Sequence, residues 1–286
     1  MNNAFAGTHG RTALLTGLAM IAFAANSLLC RQALAGGLID AASFATVRTF
    51  SGAAMLALLL ALRGKPPLGR PTGWRAPLML FTYMVFFSFA YLSLSAGTGA
   101  LILFGTVQLT MFAVALKSGE RFSLLALAGI AIALAGLVYL VLPGVTAPDP
   151  LGAAMMVVAG VGWGAYTLIG RGGTEPLATT ARNFLLTLPL TIIVSLLFWP
   201  GMNYEPAGLL LAAASGAIAS GCGYAIWYAA LAGLTATKAA IVQLSVPVIA
   251  ALGGVLFLAE PLTARIAIAS VLTIGGVLIV ITRRAP

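Results

Sequence analysis

The sequence predicts an all-α polytopic membrane protein with ten transmembrane helices, and three observations lead to this fold class. Of its 286 residues, 61% are hydrophobic and only 7% are charged, whereas a soluble domain carries about 25% charged residues. The apolar residues form stretches of about 20 residues, the length that a helix needs to cross the hydrocarbon core. The 33 glycines and 14 prolines are also typical of closely packed membrane helices.

The helices are expected between the glycine, proline and charged residues that interrupt the apolar stretches. A count of nine or eleven remains an alternative, because the stretches 77–117 and 207–258 are long enough to be divided differently. Arg11 before the first apolar run also resembles the start of a signal peptide, but we expect an uncleaved helix there. In chain order the ten helices cover residues 12–30, 41–62, 77–95, 99–117, 123–142, 151–170, 179–199, 207–230, 237–258 and 264–282.

The distribution of charge predicts the orientation. Basic residues lie in 63–75, 117–121, 171–175 and 283–284, on one side of the ten-helix arrangement. The positive-inside rule makes that side cytoplasmic, so both tails, 1–11 and 283–286, are expected in the cytoplasm. The net charge of +9 does not predict nucleic-acid binding, since no basic helix or aromatic platform accompanies it. The loops of the opposite side contain Asp40, Asp149, Glu205 and Glu260.

The two halves of the chain repeat. A proline-rich stretch, 143–150, divides the sequence and is predicted to be a periplasmic linker between a first repeat, 12–142, and a second, 151–282. Five helices per repeat is an odd number, so the second repeat enters the membrane from the other side, and a substrate site is expected between the halves near the midplane. A shift of 134 residues carries Arg48 onto Arg182, and a shift of 140 carries Phe23 onto Trp163, Arg31 onto Arg171, Ala100 onto Ala240, Glu120 onto Glu260 and Gly136 onto Gly276.

Several motifs resemble those of a known family. They are the five-helix duplication, an arginine in the second helix of each half, the Trp-Gly-Ala-Tyr of Trp163–Tyr166, and VQLSVPVIAALGGVLFLAEPLT, Val242–Thr263. Together they resemble the EamA family of the drug/metabolite transporter superfamily over essentially the whole chain. The resemblance implies a bacterial inner-membrane exporter that works by alternating access. The sixth, eighth and ninth helices are also similar to those of YddG-type exporters of aromatic amino acids.

Aromatic and amide side chains within the spans are the candidate site. The third helix carries Tyr83, Phe87 and Tyr91 four residues apart, and the eighth carries three aromatic residues within Tyr224–Tyr228. Such residues can form an interfacial belt, but a deep phenol needs an internal partner or a water-filled cavity. Trp163 between glycines can be a packing wedge or a cavity wall. The candidate substrate-binding or cavity-lining residues are Asn26, Tyr83, Phe87, Gln108, Trp163, Tyr166, Tyr224, Trp227, Tyr228, Lys238 and Gln243.

The polar candidates have structural alternatives. The amides Asn26, Gln108 and Gln243 can join helices by hydrogen bonds, and Lys238 can be a surface lysine instead of binding a carboxylate. Arg48 and Arg182 are expected to extend their side chains to the membrane interface or to orient the chain.

Pro247 is predicted to be a hinge. Proline lacks an N–H, so the carbonyl of Gln243, four residues earlier, loses its helical partner. A free carbonyl and a side-chain amide then lie at one level of the bilayer, which is tolerated only where protein or water meets them.

The residues that are missing from the spans limit the mechanism. None of the six acidic residues lies well inside a predicted span, and His9 is in the N-terminal tail, so no proton-carrying side chain is evident. No nucleotide loop, metal cluster or nucleophile–base pair is found, so we expect neither an enzyme nor a cofactor. The sequence favours an exporter of small metabolites, most readily aromatic or other hydrophobic amino acids; the oligomeric state stays open, with a monomer as one option. A drug or other metabolite exporter, and more remotely a non-transporting receptor or structural protein, remain alternatives.

Overall fold

A computed structural model describes residues 3–64, 73–119, 122–170, 175–234 and 236–282. Glu120, Arg171 and the predicted tail 283–286 lie outside them. The described residues contain ten helices, nine of which are long and apolar enough to cross a membrane, so the protein is a multi-pass membrane protein. The helices are α1 (Asn3–Ala35), α2 (Ala41–Leu62), α3 (Arg75–Ala90), α4 (Ala96–Lys117), α5 (Leu124–Val141), α6 (Pro150–Ile169), α7 (Pro176–Leu197), α8 (Pro206–Leu231), α9 (Ala236–Gln243, then Ser245–Leu258) and α10 (Ala264–Thr282).

Three predicted boundaries differ from the structure by five residues or more, and one of them is the end of α1, at Ala35 and not at residue 30. Helix α1 begins at Asn3, not at residue 12, so the predicted tail is already helical from that point. Helix α3 ends at Ala90, not at residue 95, and its 16 residues span only about 24 Å, less than the roughly 30 Å hydrocarbon core. The turn 91–95 was missed because its leucines and tyrosine are as apolar as the helix before it.

Short polar side chains start several of these helices. The side chains of Asp40, Ser95, Ser123 and Asp149 accept hydrogen bonds from backbone N–H groups in the first turns of α2, α4, α5 and α6. They satisfy donors that a helix leaves without an intrahelical partner. Proline occupies the first turn of α6, α7 and α8, where its missing N–H removes no helical bond.

The outer faces of the helices are apolar. Large side chains such as Leu58, Leu134, Ile193 and Val271 are exposed on α2, α5, α7 and α10. A soluble monomer does not leave so much contiguous apolar surface in water. These faces therefore contact the lipid of the bilayer.

The packing of the helices relates the two halves of the chain. Helix α2 packs on α7, α5 on α10 and α4 on α9; α3 and α4 pack on α6, while α8 and α9 pack on α1. The first helix of one half corresponds to the first helix of the other, α1 to α6, and so on to α5 and α10. When every helix is replaced by its counterpart, the same set of pairs results. Each helix pair named above therefore has an equivalent pair, formed by the corresponding helices of the two halves.

The α5–α10 contact is reciprocal at the level of single residues. A Cβ added at Gly136 would lie 2.6 Å from Thr273 Oγ1, and one added at Gly276 would lie 2.5 Å from the backbone N of Ala133. The shift of 140 residues that overlays Gly136 on Gly276 also overlays Ala133 on Thr273. Glycine at both positions lets the two helices approach at backbone distance.

One end of the bundle is joined by hydrogen bonds between its connections. The connection 36–40, between α1 and α2, is bonded to the connection 198–205, between α7 and α8. The backbone N of Asp40 donates to Asn203 O at 2.8 Å, and Asn203 Nδ2 donates to Gly37 O at 2.8 Å. The loop after α1 is thus fixed to the loop before α8.

The remaining connections of this end are joined in the same way. Ser93 Oγ, after α3, donates to Asp149 Oδ2, before α6, at 3.0 Å. Arg31, near the end of α1, contacts Glu260, after α9, at 3.1 Å. We call this end, with the connections 36–40, 91–95, 142–149, 198–205 and 259–263, the linked end. The opposite end exposes Arg11, Arg63, Arg75 and Lys117 and is called the basic end.

Candidate functional site

A cavity of about 380 Å³ lies between helices of both halves. Helices α1, α3 and α4 contribute from the first half, and α6, α7, α8 and α9 from the second. None of the lining side chains within the described part of the chain is charged. The lining residues are Phe23, Asn26, Ser27, Tyr83, Phe87, Leu103, Phe104, Trp163, Tyr166, Thr167, Gly170, Pro176, Thr179, Thr180, Asn183, Tyr224, Trp227, Tyr228, Leu231 and Gln243.

The cavity reaches the surface at the basic end and is covered at the linked end. Gly170, which follows α6 and is exposed, and Pro176, at the start of α7, line its outer part. In the other direction the lining ends at Phe87, whose ring packs against Tyr91 at 4.8 Å between centroids. Tyr91 is fully buried and donates to Ala96 O. The linked end therefore separates the cavity from the surface on that side.

The structure brings together most of the residues that the sequence nominated. Gln108 is buried in α4 and does not line the cavity. Lys238 is exposed near the start of α9 and does not line it either. The nominated residues that do line the cavity are Asn26, Tyr83, Phe87, Trp163, Tyr166, Tyr224, Trp227, Tyr228 and Gln243.

Trp163 is at the centre of an aromatic wall. Its ring centroid lies 4.9 Å from that of Tyr83, 5.4 Å from Tyr166 and 5.5 Å from Tyr224, with the last two rings stacked on it. Such pairs are each worth about 0.5–1.5 kcal/mol beyond simple burial. Trp163 itself is only half-buried, so the wall presents a flat, apolar face to the cavity.

Glycines on α6 position this tryptophan. A Cβ at Gly162 would lie 3.0 Å from Met79 O of α3, and one at Gly160 would lie 2.7 Å from Thr106 Cβ of α4. Helix α6 therefore approaches both neighbours closely, and the bulky ring of Trp163 points between them into the cavity. The glycines thus pack against the neighbouring helices, while the ring of Trp163 lines the cavity.

Helix α7 supplies polar groups that sequence reasoning missed. Asn183 Nδ2 donates to Tyr166 Oη at 3.2 Å, and Thr180 Oγ1 lies 2.9 Å from Tyr228 Oη. The phenols of buried Tyr166 and half-buried Tyr228 thus have internal partners. The signal was present, because Thr180, Asn183, Thr187 and Thr191 recur every three or four residues and form one polar stripe on an apolar helix.

A widened segment of α8 holds Asn26 in place. Residues Ser215–Cys222 form a π-helix, whose i→i+5 hydrogen bonds place residues five apart above one another. The hydroxyls of Ser215 and Ser220 consequently both donate to Asn26 Oδ1, at 2.9 and 3.3 Å. Because the oxygen accepts two hydrogen bonds, the amino group of Asn26 is the donor available to the cavity.

Arg48 lies behind the cavity wall and is fully buried. The expectation that its side chain extends to the membrane interface was wrong, because α2 is enclosed by α7 and α8. Its Nη2 donates to Tyr83 Oη at 2.8 Å, and its guanidinium carbon lies 4.7 Å from the centre of the Phe87 ring. Nε and Nη1 have no hydrogen-bond partner among the described residues. Arg182, its counterpart in the sequence repeat, is only half-buried.

Helix α9 is interrupted where Gln243 faces the cavity. The helix stops at Gln243 and resumes at Ser245, with Leu244 in a turn between them. Ser245 Oγ donates to Val242 O at 2.7 Å, which satisfies one carbonyl at the interruption. Pro247 follows in the first turn of the second piece and is buried.

Four helices meet at the Arg31–Glu260 ion pair, which covers the cavity at the linked end. Arg31 Nε lies 3.1 Å from Glu260 Oε1, and Arg31 Nη1 donates to the carbonyls of Tyr91 and Leu92 at 3.1 and 3.2 Å. Glu260 Oε2 accepts from the backbone N of Ala96 at 2.8 Å. The pair thus connects α1 and the end of α9 to the turn between α3 and α4.

Comparison with known proteins places this architecture in a family. The model of the EamA-like transporter family matches residues 150–282. Over 96% of its length the chain is 52% identical to an uncharacterized protein of Pseudomonas aeruginosa, PA1977, and covers 96% of that protein. The chain belongs to the EamA-like transporter family. Its members are transporters, so this chain is a membrane transporter and its family is not one of enzymes.

More distant proteins are similar to this EamA-like transporter in sequence or in structure. An uncharacterized transporter of Archaeoglobus fulgidus is 28% identical over 71% of the chain, which covers 74% of that protein. One solved crystal structure superposes with a TM-score of 0.67 over 94% of the chain and 95% of its own length, at 20% identity.

Within the described residues of the EamA-like transporter, no three His, Cys, Asp or Glu side chains are grouped as a metal site.

Proposed function

We propose that this EamA-like transporter exports amino acids with aromatic or other hydrophobic side chains across a bacterial inner membrane. The cavity carries the proposal. Its volume of about 380 Å³ lies in the range of small-molecule sites, about 300–1,000 Å³. An apolar side chain would stack on the Trp163 wall, while the amino group of Asn26 and the amide of Gln243 would bind the polar end.

We further propose that the halves are two inverted repeats, 12–142 and 151–282, joined by a periplasmic linker, 143–150. The exchange of helix pairs between the halves and the reciprocal α5–α10 contact support this arrangement, which is common in secondary transporters. The exposed arginines of the basic end support its placement in the cytoplasm, with both chain termini. The conformation described here would then load solute from the cytoplasm, as export requires.

Alternating access would require the linked end to open and the basic end to close. The interruption of α9 at Leu244 supports a hinge near Pro247, since the pieces before and after it are separate helices. Because no acid or histidine lies among the cavity-lining residues of the described part of the chain, the solute would move without an intramembrane carboxylate that carries a proton.

The test is efflux from liposomes that contain the purified transporter. Labelled phenylalanine and methionine are expected to leave at least tenfold faster than from protein-free vesicles, and faster than lysine. A panel of unlabelled metabolites and lipophilic cations, added as competitors, defines the substrate class. Competition by the cations alone would favour a drug exporter, because tyrosine and tryptophan can bind cations by their ring faces. Efflux equal to that of protein-free vesicles for every solute would refute transport.

A further inference from the structure

We infer that Arg48 determines the charge preference of the cavity, so that solutes with a carboxylate bind better than cations of the same shape. The inference rests on the proposed function, in which the cavity binds the solute. Arg48 does not line the cavity. It acts through Tyr83, which does line the cavity and which accepts the hydrogen bond of Arg48 Nη2 at 2.8 Å.

The burial of Arg48 is costly and needs an explanation. A guanidinium keeps its charge in proteins, and Arg48 is fully buried, with Nε and Nη1 lacking hydrogen-bond partners among the described residues. A contribution to folding stability does not explain a buried charge of this kind, because replacing buried charged residues by apolar residues of similar volume often leaves the stability unchanged. Its contacts with the rings of Tyr83 and Phe87, at 5.2 and 4.7 Å, only partly compensate the charge.

Through its hydrogen bond to Tyr83, the charge of Arg48 influences the cavity wall. Since the phenol oxygen of Tyr83 accepts from Arg48, its own O–H is free to donate elsewhere, and hydrogen bonds in a chain strengthen one another. Tyr83 then becomes a strong donor for an anionic oxygen. Asn26, whose oxygen is already occupied by two serines, offers a second donor in the same cavity.

The field of Arg48 is not cancelled within the cavity. All lining side chains in the described ranges are neutral, and a charge in a low-dielectric site acts over longer distances than in water. The deep wall formed by Tyr83 and Phe87 is therefore positive in potential. A carboxylate would be attracted to it, and an ammonium group without a carboxylate would be repelled despite the aromatic rings.

The experiment compares three probes with one phenyl ring: 3-phenylpropanoate, phenylalanine and phenethylamine. Their binding to purified transporter in detergent is measured directly, so the result does not depend on transport. Wild-type protein is expected to bind the two carboxylates at least tenfold more tightly than the amine. Arg48→Gln should lower that ratio about tenfold, in line with the loss of one charge-assisted interaction, and Arg48→Lys should retain most of it.

Two further variants keep the inference falsifiable if Arg48→Gln does not fold. Tyr83→Phe keeps the ring and removes only the hydroxyl, so it should also lower the ratio. Arg182→Gln removes the repeat counterpart, which does not line the cavity, and should leave the ratio unchanged. Equal weakening of all three probes, or an unchanged ratio in Tyr83→Phe, would overturn the role of Arg48. Retained charge preference with no efflux of any amino acid would instead overturn the proposed function alone.

Discussion

The linked end and the basic end of the bundle use polar residues in opposite ways. At the linked end, Arg31, Asp40, Asp149 and Glu260 form hydrogen bonds between connections that are distant in sequence. At the basic end, Arg11, Arg63, Arg75 and Lys117 are exposed. In the proposed transport cycle, opening the linked end therefore requires several charged contacts to break together, whereas the cavity already reaches the surface at the basic end.

The largest expected effect comes from breaking the ion pair of the linked end. Glu260→Gln removes the charge that binds Arg31 and weakens the contact with the N–H of Ala96, so the linked end should open more often. Charge-assisted hydrogen bonds are worth about 1.5–3 kcal/mol each, less where they are partly exposed, so opening should become about tenfold more frequent.

Opening is measured by labelling a cysteine at a buried position of the linked end. Leu94→Cys, in a chain with Cys30→Ala and Cys222→Ala, should react slowly with a membrane-impermeant maleimide and faster when Glu260→Gln is added. Glu205→Gln is the matched control, because it removes an exposed carboxylate that does not cap α8. Similar labelling rates with and without Glu260→Gln would show that the pair does not hold this end closed.

A smaller effect is expected from a change inside the cavity, between the two ends. Trp163→Ala removes the ring that contacts Tyr83, Tyr166 and Tyr224, and should reduce phenylalanine transport about fivefold while the protein still folds. Trp199→Ala is the control, since Trp199 is 62% exposed and lies at the linked end. Size-exclusion chromatography separates the two roles: loss of the folded peak with Trp163→Ala would assign the residue to packing.

The smallest effect concerns the interruption of α9, which lies between the two ends. Pro247→Ala restores a backbone N–H and should favour a continuous helix, lowering the transport rate a few-fold with little change in phenylalanine binding. Pro189→Ala provides the comparison, because Pro189 also lies inside a helix but is exposed on α7. If both variants transport at the wild-type rate, the interruption is not a hinge.

The sequence predicted the helices well because the apolar length of a span is a local property. It missed the end of α3 because the tyrosine and the leucines within Tyr91–Leu94 continue the apolar pattern of that helix. The aromatic side of the cavity could also be predicted, since the rings of Tyr83 and Phe87 recur at helical spacing. The burial of Arg48 could not, because whether an arginine reaches the interface depends on which helices enclose it.

Gln108 and Lys238 are two candidates that the sequence nominated and that do not line the cavity. Both are polar residues in or beside apolar spans, and composition alone does not distinguish them from Asn26 or Gln243. What distinguishes them is the rotation of α4, which turns Gln108 away from the cavity, and the position of Lys238 in the first turn of α9. These properties depend on tertiary packing.

The α5–α10 contact has the form of an isologous interface, in which one patch serves both partners. Gly136 faces Thr273 on α10, and Gly276 faces Ala133 on α5, so neither helix needs a surface that the other lacks. Such self-complementary patches are the usual basis of two-fold symmetric dimers. In this chain the covalent connection between the halves keeps the two patches at high effective concentration. The same kind of surface on α5 and on α10 is therefore sufficient to join the halves.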